Sequence, residues 1–224
     1  MRYNIFNQIH KGLRAMLYDT AVLLQQTDFT DPSATAVAAD RTNAVLKMFE
    51  DHASHEDNYV FAAISAYEPS VADAFMQEHH EDERLAQQVA DSLQALEYAS
   101  TAVKPEMAIQ LNRNFVAFLA FNLSHMEREE SVINRLLWRY YSDEAIMQIQ
   151  QQVIASLSPE AAATGTEWMF RGLNDNEIIG WLKGVRANAP EEAFENLVAA
   201  AANFLPANRF DTIINAVSIR SAVA

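Results

Sequence analysis

The chain has 224 residues, half of them apolar, with a formal net charge of -14. That length can bury a sizeable core, and the charge works against a nucleic-acid backbone or an anionic membrane as partner, because both demand a basic footprint. With no cysteine there is no disulfide, thiolate ligand or thiol redox chemistry, so any bound metal must be held by nitrogen and oxygen.

Proline punctuates the chain. Pro32, Pro69, Pro105 and Pro159 each stand where a helix can begin, since proline is tolerated in the first turn and disfavoured inside. The first helix is predicted from about Tyr3 to Gln26, with Phe6, His10, Leu13, Leu17 and Leu24 on one stripe. After a loop at residues 28–33, a second helix runs to about Tyr67, carrying Val45, Phe49, His52, Glu56, Val60 and Ala63 at steps of three and four. A third extends from Ser70 to about Ala99, with Phe75, His79, Ala86, Val89, Leu93 and Leu96 inward and Asp82 as its one polar interruption. The fourth reaches from near Pro105 to about Tyr140, its stripe holding Phe118, Phe121, His125, Glu129, Val132, Ile133 and Leu136. Ser142 can cap a further helix through Ile154, and Ser158-Pro159-Glu160 opens another. Shorter helices are marked by Asn174-Asp175-Asn176-Glu177, Ala189-Pro190-Glu191-Glu192 and Pro206. Large apolar residues such as Trp168, Phe170, Trp181 and Phe204 require cover. The expected division is a helical bundle over residues 1–157 and a C-terminal helical extension over 158–224, packed on the bundle or on another subunit. No apolar run approaches the roughly twenty residues of a membrane span, and Met1-Arg2-Tyr3-Asn4-Ile5-Phe6 lacks the pattern of a secretory signal. The expected location is cytoplasmic.

The chemistry lies in the histidines. His52 and Glu56 are four residues apart, which places them on one helical face, and His125 and Glu129 repeat the step. An imidazole nitrogen and a carboxylate oxygen so placed can chelate one ion or bridge two. Burying such groups without a cation costs several kcal/mol per unpaired charge, so apolar stripes that each carry ligand-type residues point to a metal site in the bundle. A lone His10 would read as a hydrogen-bonded core residue; its company on three other helices changes the reading. On the third helix either His79 or His80 is available, and His79 continues the apolar face begun by Phe75. After His125 either Glu129 or Glu130 is available, but Glu130 is turned about 140° from His125. His55 and His80 read as solvent-facing, and Tyr59, Tyr67 and Trp138 as core packing. No glycine-rich phosphate loop, nucleophile elbow or catalytic triad is present.

The order His10, His52-x-x-x-Glu56, His79, His125-x-x-x-Glu129 resembles the hemerythrin-like HHE cation-binding family over about residues 1–140. That resemblance implies an all-α, up-and-down four-helix bundle holding two oxygen-bridged non-haem irons through His10, His52, Glu56, His79, His125 and Glu129, a set that also suits manganese or zinc. Such proteins include oxygen carriers, oxygen, redox or iron sensors, and di-iron proteins that repair iron-sulfur clusters after nitrosative or oxidative damage. The classical carriers have His-x-x-x-His on the third helix, where this chain has Glu83 after His79. Lacking that fifth histidine, it resembles instead the four-histidine, two-glutamate variants, the repair proteins among them. Of about twelve coordination positions on two irons, about two then stay open to O2, NO or peroxide, unless Glu83 occupies one. Two roles are expected: redox chemistry in stress defence, fed by an electron donor that the sequence does not identify, or a non-catalytic sensor module. In the second, metal or oxygen binding changes how the bundle meets its C-terminal helices or a partner, another copy of the chain included.

Overall fold

In the computed structural model, which describes residues 2–218, six of the helices start where the sequence supplies a side-chain cap or a first-turn proline. α1 (Asn7–Gln26) is followed by α2 (Pro32–His55), whose cap Asp31 accepts a hydrogen bond from the Ser33 amide at 2.8 Å. Further along the chain, past a short α3 (Ala62–Ser65), Pro69 opens α4 (Pro69–Tyr98) and Pro105 lies in the first turn of α5 (Lys104–Arg128). After α6 (Asn134–Tyr140), Ser142 caps α7 (Asp143–Ser156), Ser158 with Pro159 starts α8 (Pro159–Gly172), and Asn174 with Glu177 forms a reciprocal capping box on α9 (Asp175–Asn188). α10 (Glu191–Phe204) and α11 (Ala207–Ser218) complete the chain; residues 219–224, the end of the expected extension, and Met1 lie outside the described residues. The fold is all-α, and the four long helices form the expected hemerythrin-like bundle.

Two of those long helices are not uniform. α2 passes through a π-helical turn, Glu56–Phe61, into α3, and α5 passes through a second, Glu129–Ile133, into α6. A π turn takes an extra residue, so the inward face advances by about one position beyond it. Hence Phe61, Ile64 and Leu137 are buried where an unbroken period places Ala63 and Leu136, and Val132 is exposed. Tyr67, expected in the core, is also exposed and stacks on Tyr140, whereas Trp138 is part-buried and donates its indole N–H to the Tyr3 carbonyl at 2.6 Å. Among the described residues, no helix is long and apolar enough to cross a membrane.

The bundle core is layered. One apolar cluster holds Leu13, Leu17, Phe49, Val89, Phe115 and Phe118, and a second, toward the opposite end, holds Phe6, Phe61, Ile64, Phe75, Ile133 and Leu137. Between them, at one level of all four long helices, lie His10, His52, Glu56, His79, His125 and Glu129.

The C-terminal helices have their own core of Phe170, Leu173, Ile178, Leu182, Ala201 and Ile213, and they are docked on the bundle through α8. Trp168 enters the first bundle cluster, with the Arg41 and Arg171 guanidinium groups each 5.0 Å from its ring centroid. Two glycines make the approach of α8 to α1 possible. A Cβ on Gly12 would meet the Met169 nitrogen at 3.1 Å, and one on Gly172 would lie 2.3 Å from the Lys11 carbonyl oxygen. Gly172→Ala should therefore lower stability by about 1–3 kcal/mol, since helix backbones rather than a side-chain tip must move. Gly180, also helical but with nothing within 4 Å of its added Cβ, is the control: Gly180→Ala should be neutral or stabilising by about 0.5–1 kcal/mol. Urea midpoints of the two variants check both signs.

Candidate metal centre

Each inward side chain reaches the middle layer by a different local route. His10 projects from the first half of α1, two residues before Gly12, and is fully buried. His52 lies on the last turn of α2 and His125 on that of α5, so the glutamates four residues later, Glu56 and Glu129, fall at the first position of the two π turns. His79 comes from α4, where it is buried while His80 is exposed. Glu56 and Glu129 are 3% and 0% exposed.

The six residues form two overlapping groups of four, His10, His52, Glu56 and Glu129 in one and His79, His125, Glu56 and Glu129 in the other, each with its ligand-type atoms within 4.8 Å of one another. His52 Nε2 stands 3.1 Å from Glu56 Oε1, His125 Nε2 stands 3.2 Å from Glu129 Oε1, and His79 Nε2 stands 3.5 Å from Glu56 Oε2. His10 Nε2 is placed between the two carboxylates, at 3.6 and 3.5 Å. None of these approaches satisfies hydrogen-bond geometry for the atoms concerned at His10, His52, His125, Glu56 and Glu129, which stay buried without a partner. Buried carboxylate and imidazole atoms converging without hydrogen bonds are the signature of a site shaped for cations, and their nitrogen and oxygen donors fit iron, manganese or zinc.

Outside the layer, three carboxylates hold the histidines in place. His10 Nδ1 donates to Glu130 at 2.9 Å, His79 Nδ1 to Asp57 at 2.8 Å and His125 Nδ1 to Glu78 at 2.8 Å. A carboxylate only accepts, so each Nδ1 carries the proton and each Nε2 points its lone pair inward once the ring is neutral. Glu130 is itself paired with Arg14 at 2.6 Å, and Glu78 with Arg128. Glu130, a candidate ligand on sequence, thus lies beside His10 in an orienting position, while Glu129 is in the cluster. Glu83, expected one turn beyond His79 as a possible ligand, is exposed; Asp82 is the residue that turns inward, bonded by Asn122 Nδ2 at 2.5 Å. Sequence reasoning misses Asp57 and Glu78, although both are acids next in sequence to a ligand-type residue. His55 is part-buried against Tyr59, away from both groups.

The electrostatics arise from this crowding. Burial disfavours a charged His10, but the bond to Glu130 and the neighbouring carboxylates of Glu56 and Glu129 outweigh it and push its pKa up to about 9. Against the same desolvation, Asp57 and Glu56 push His79 up to about 10. His125 is raised as well, mainly by Glu129 and Glu78 working against burial. Burial pushes the Glu129 carboxyl up, with Glu56 adding to it, whereas His52, His10 and His79 overcome burial at Glu56 and hold it well below the usual carboxylate range.

Comparison with known proteins agrees with this geometry. The family model described as Hemerythrin HHE cation binding domain matches residues 1–137. Over 176 residues the chain is 24% identical to F-box/LRR-repeat protein 5 of Salmo salar and 23% identical to the protein of that name from Mus musculus. Each match covers 76% of this chain and 24% of the relative, so the chain spans about a quarter of the length of these relatives. No solved structure matches.

The raised histidines give the metal-free protein a pH dependence. His10 and His79 have folded pKa values above the unfolded value of about 6.5, so their contribution to stability is complete below that value and is lost as pH rises through about 9 to 10. The urea midpoint of metal-free protein should fall between pH 7 and 10. A cation that takes Nε2 displaces its proton, so binding of Zn(II) or Mn(II) near pH 7 should release protons. Calorimetric titration in two buffers of different ionisation enthalpy measures that release; equal heats in both would contradict it.

Proposed function

The chain belongs to the hemerythrin family of HHE cation binding domains, and we propose that it is a non-haem di-iron protein whose ligand is a small oxidant, O2 or NO. The observation that carries this reading is the pair of four-residue groups sharing Glu56 and Glu129, with inward atoms that are buried and unpartnered. When bound, two adjacent irons supply exchangeable electrons and coordination positions that a diatomic molecule can take. The chain's own residues do the rest. Glu56 and Glu129 belong to both groups of four and would be shared by the two ions, and Glu130, Asp57 and Glu78 fix the tautomers of His10, His79 and His125. The phenylalanine layers on either side exclude water, with Phe6 stacked on His10 at 4.8 Å and Phe121 on His125 at 5.9 Å. The His52 side chain is the most exposed of the set at 11%, a degree of closure that favours diatomic ligands over bulky ones. A centre of this kind suits oxidative or nitrosative stress defence.

A second reading, a metal- or oxygen-dependent sensor, is favoured by a separate observation. The helix that carries His10 is the one on which the C-terminal helices dock, through Gly12 and through Glu177, which receives Lys11 Nζ at 2.5 Å and Asn7 Nδ2 at 3.0 Å. A change at His10 is therefore felt directly by α8 and α9. The F-box/LRR-repeat relatives, in which the shared region is a minor part of a longer protein, support a module of this kind. Catalytic turnover separates the two readings: an oxidoreductase consumes O2 or NO repeatedly with an electron donor, and a sensor binds once.

Protein supplied with iron should carry two ions per chain, and its reduced form should develop new absorption bands with NO. A His52→Ala, His125→Ala double variant should retain less than one ion. Loaded protein should also unfold at higher temperature than metal-free protein, with about 2.7 kcal/mol of added stability at a free metal concentration 100 times Kd. Equal melting temperatures and less than one ion in the unaltered chain would sink the proposal.

A further inference from the structure

The metal layer has an approximate twofold relation that exchanges α1 with α4 and α2 with α5. His10 matches His79, His52 matches His125, Glu56 matches Glu129, and the paired rings meet edge to face in both halves, at 5.2 and 4.9 Å. Both π turns match, and so do two of the outer contacts: Glu130 follows Glu129 and holds His10, just as Asp57 follows Glu56 and holds His79. The relation breaks at three positions. Glu78, one residue before His79, holds His125, but the residue one before His10 is Ile9, and among the described residues no side chain holds His52 Nδ1. Three residues after His79 stands the buried Asp82, while three after His10 stands Leu13. Three residues before His125 stands Asn122, the partner of Asp82, while three before His52 stands Phe49. Every break puts the polar residue in the same half.

Resting on the di-iron reading above, we propose that the two metal positions are inequivalent, with the His79/His125 position filled first and retained, and the His10/His52 position exchangeable. Three effects act in one direction. Both imidazoles of the first position have a carboxylate on Nδ1, which fixes ring orientation and raises ligand basicity; only one of the two has it in the other position. Asp82, three residues after His79 on α4 and bonded by Asn122 from the helix that carries His125, gives that half a buried carboxyl group able to balance a cation, where the other half has Leu13 and Phe49. His52 is also the most exposed ligand-type side chain, so a competing water or chelator reaches it most easily. Loss of an orienting partner from a metal-bound histidine commonly weakens binding by about 10–100-fold. The two ions should therefore differ in release rate by about that factor.

The test is release of iron from the full, ferrous-loaded chain into a coloured ferrous chelator under anaerobic conditions. The expected trace has two phases of one ion each, with rates differing by about 10–100-fold. His52→Ala should remove the fast ion and keep the slow one. Ile9→Glu, which gives His52 the acid that His125 has, should slow the fast phase by about tenfold. Glu78→Ile makes the reciprocal exchange and should speed the slow ion by about tenfold, which keeps the proposal open to refutation if Ile9→Glu does not fold. Release of two ions in one phase would overturn the inequivalence while leaving the di-iron reading intact, and so would a His52→Ala chain that loses the slow ion and keeps the fast one. An unaltered chain that takes up no iron overturns both.

Discussion

Two carboxylates that cannot reach water organise this protein. Glu56 and Glu129 sit between apolar layers, close enough for the ionisation of one to oppose that of the other. Desolvating a carboxylate costs several kcal/mol even after relaxation, and no packing of Leu and Phe around it recovers that cost. Positive charge has to come from within the layer. In metal-free protein His10, His79 and His125 supply it, since the carboxylates around them raise their pKa values against burial; with a cation present the imidazoles give up their inward protons and become neutral donors. Either way, four helices must bring a histidine or a carboxylate to the same height, so the requirement for charge balance also sets the register of the bundle.

The π turns are part of the same solution. In an unbroken α-helix a residue pair four apart serves the layer, but the turn after it would continue the same face. By beginning a wide turn at Glu56 and again at Glu129, the chain keeps each glutamate in the layer and rotates the residues beyond it, so that Asp57 and Glu130 reach the outer nitrogens of His79 and His10 on neighbouring helices. One local distortion thus places two neighbouring acids in different roles, one facing inward and one steadying a ring from outside.

Much of this is legible in the sequence. Helix starts at Pro32, Pro69 and Pro159 come from local chemistry alone, and the His-x-x-x-Glu steps on apolar stripes locate the layer because a four-residue step shares a face in any helix. The errors have one main source. A period of 3.6 turns Ala63, Val132 and Leu136 inward, and periodicity is blind to an extra residue in a turn. The same reasoning offers Glu83 as a ligand and Asp82 as a mere interruption, although on α4 it is the position three after His79 that turns inward, with Asn122 to receive it. Asp57 and Glu78 escape notice because orienting contacts cross between helices, and no spacing within one helix reveals them. Their only trace in the sequence is an acid directly after Glu56 and another directly before His79, a pattern too common in a chain of charge -14 to carry weight.

The glycine contact between α1 and α8 bears on how the molecule is made. Gly12 leaves the ribosome well before the surface it must meet, at Trp168, Met169 and Gly172, which is synthesised only after all four long helices are complete. At about 5–20 residues per second, that gap corresponds to roughly ten to thirty seconds. Throughout it, the helix bearing His10 has its flank at Lys11 and Gly12 bare. Metal that arrives before α8 therefore meets a layer whose first helix lacks the contact that α8 supplies.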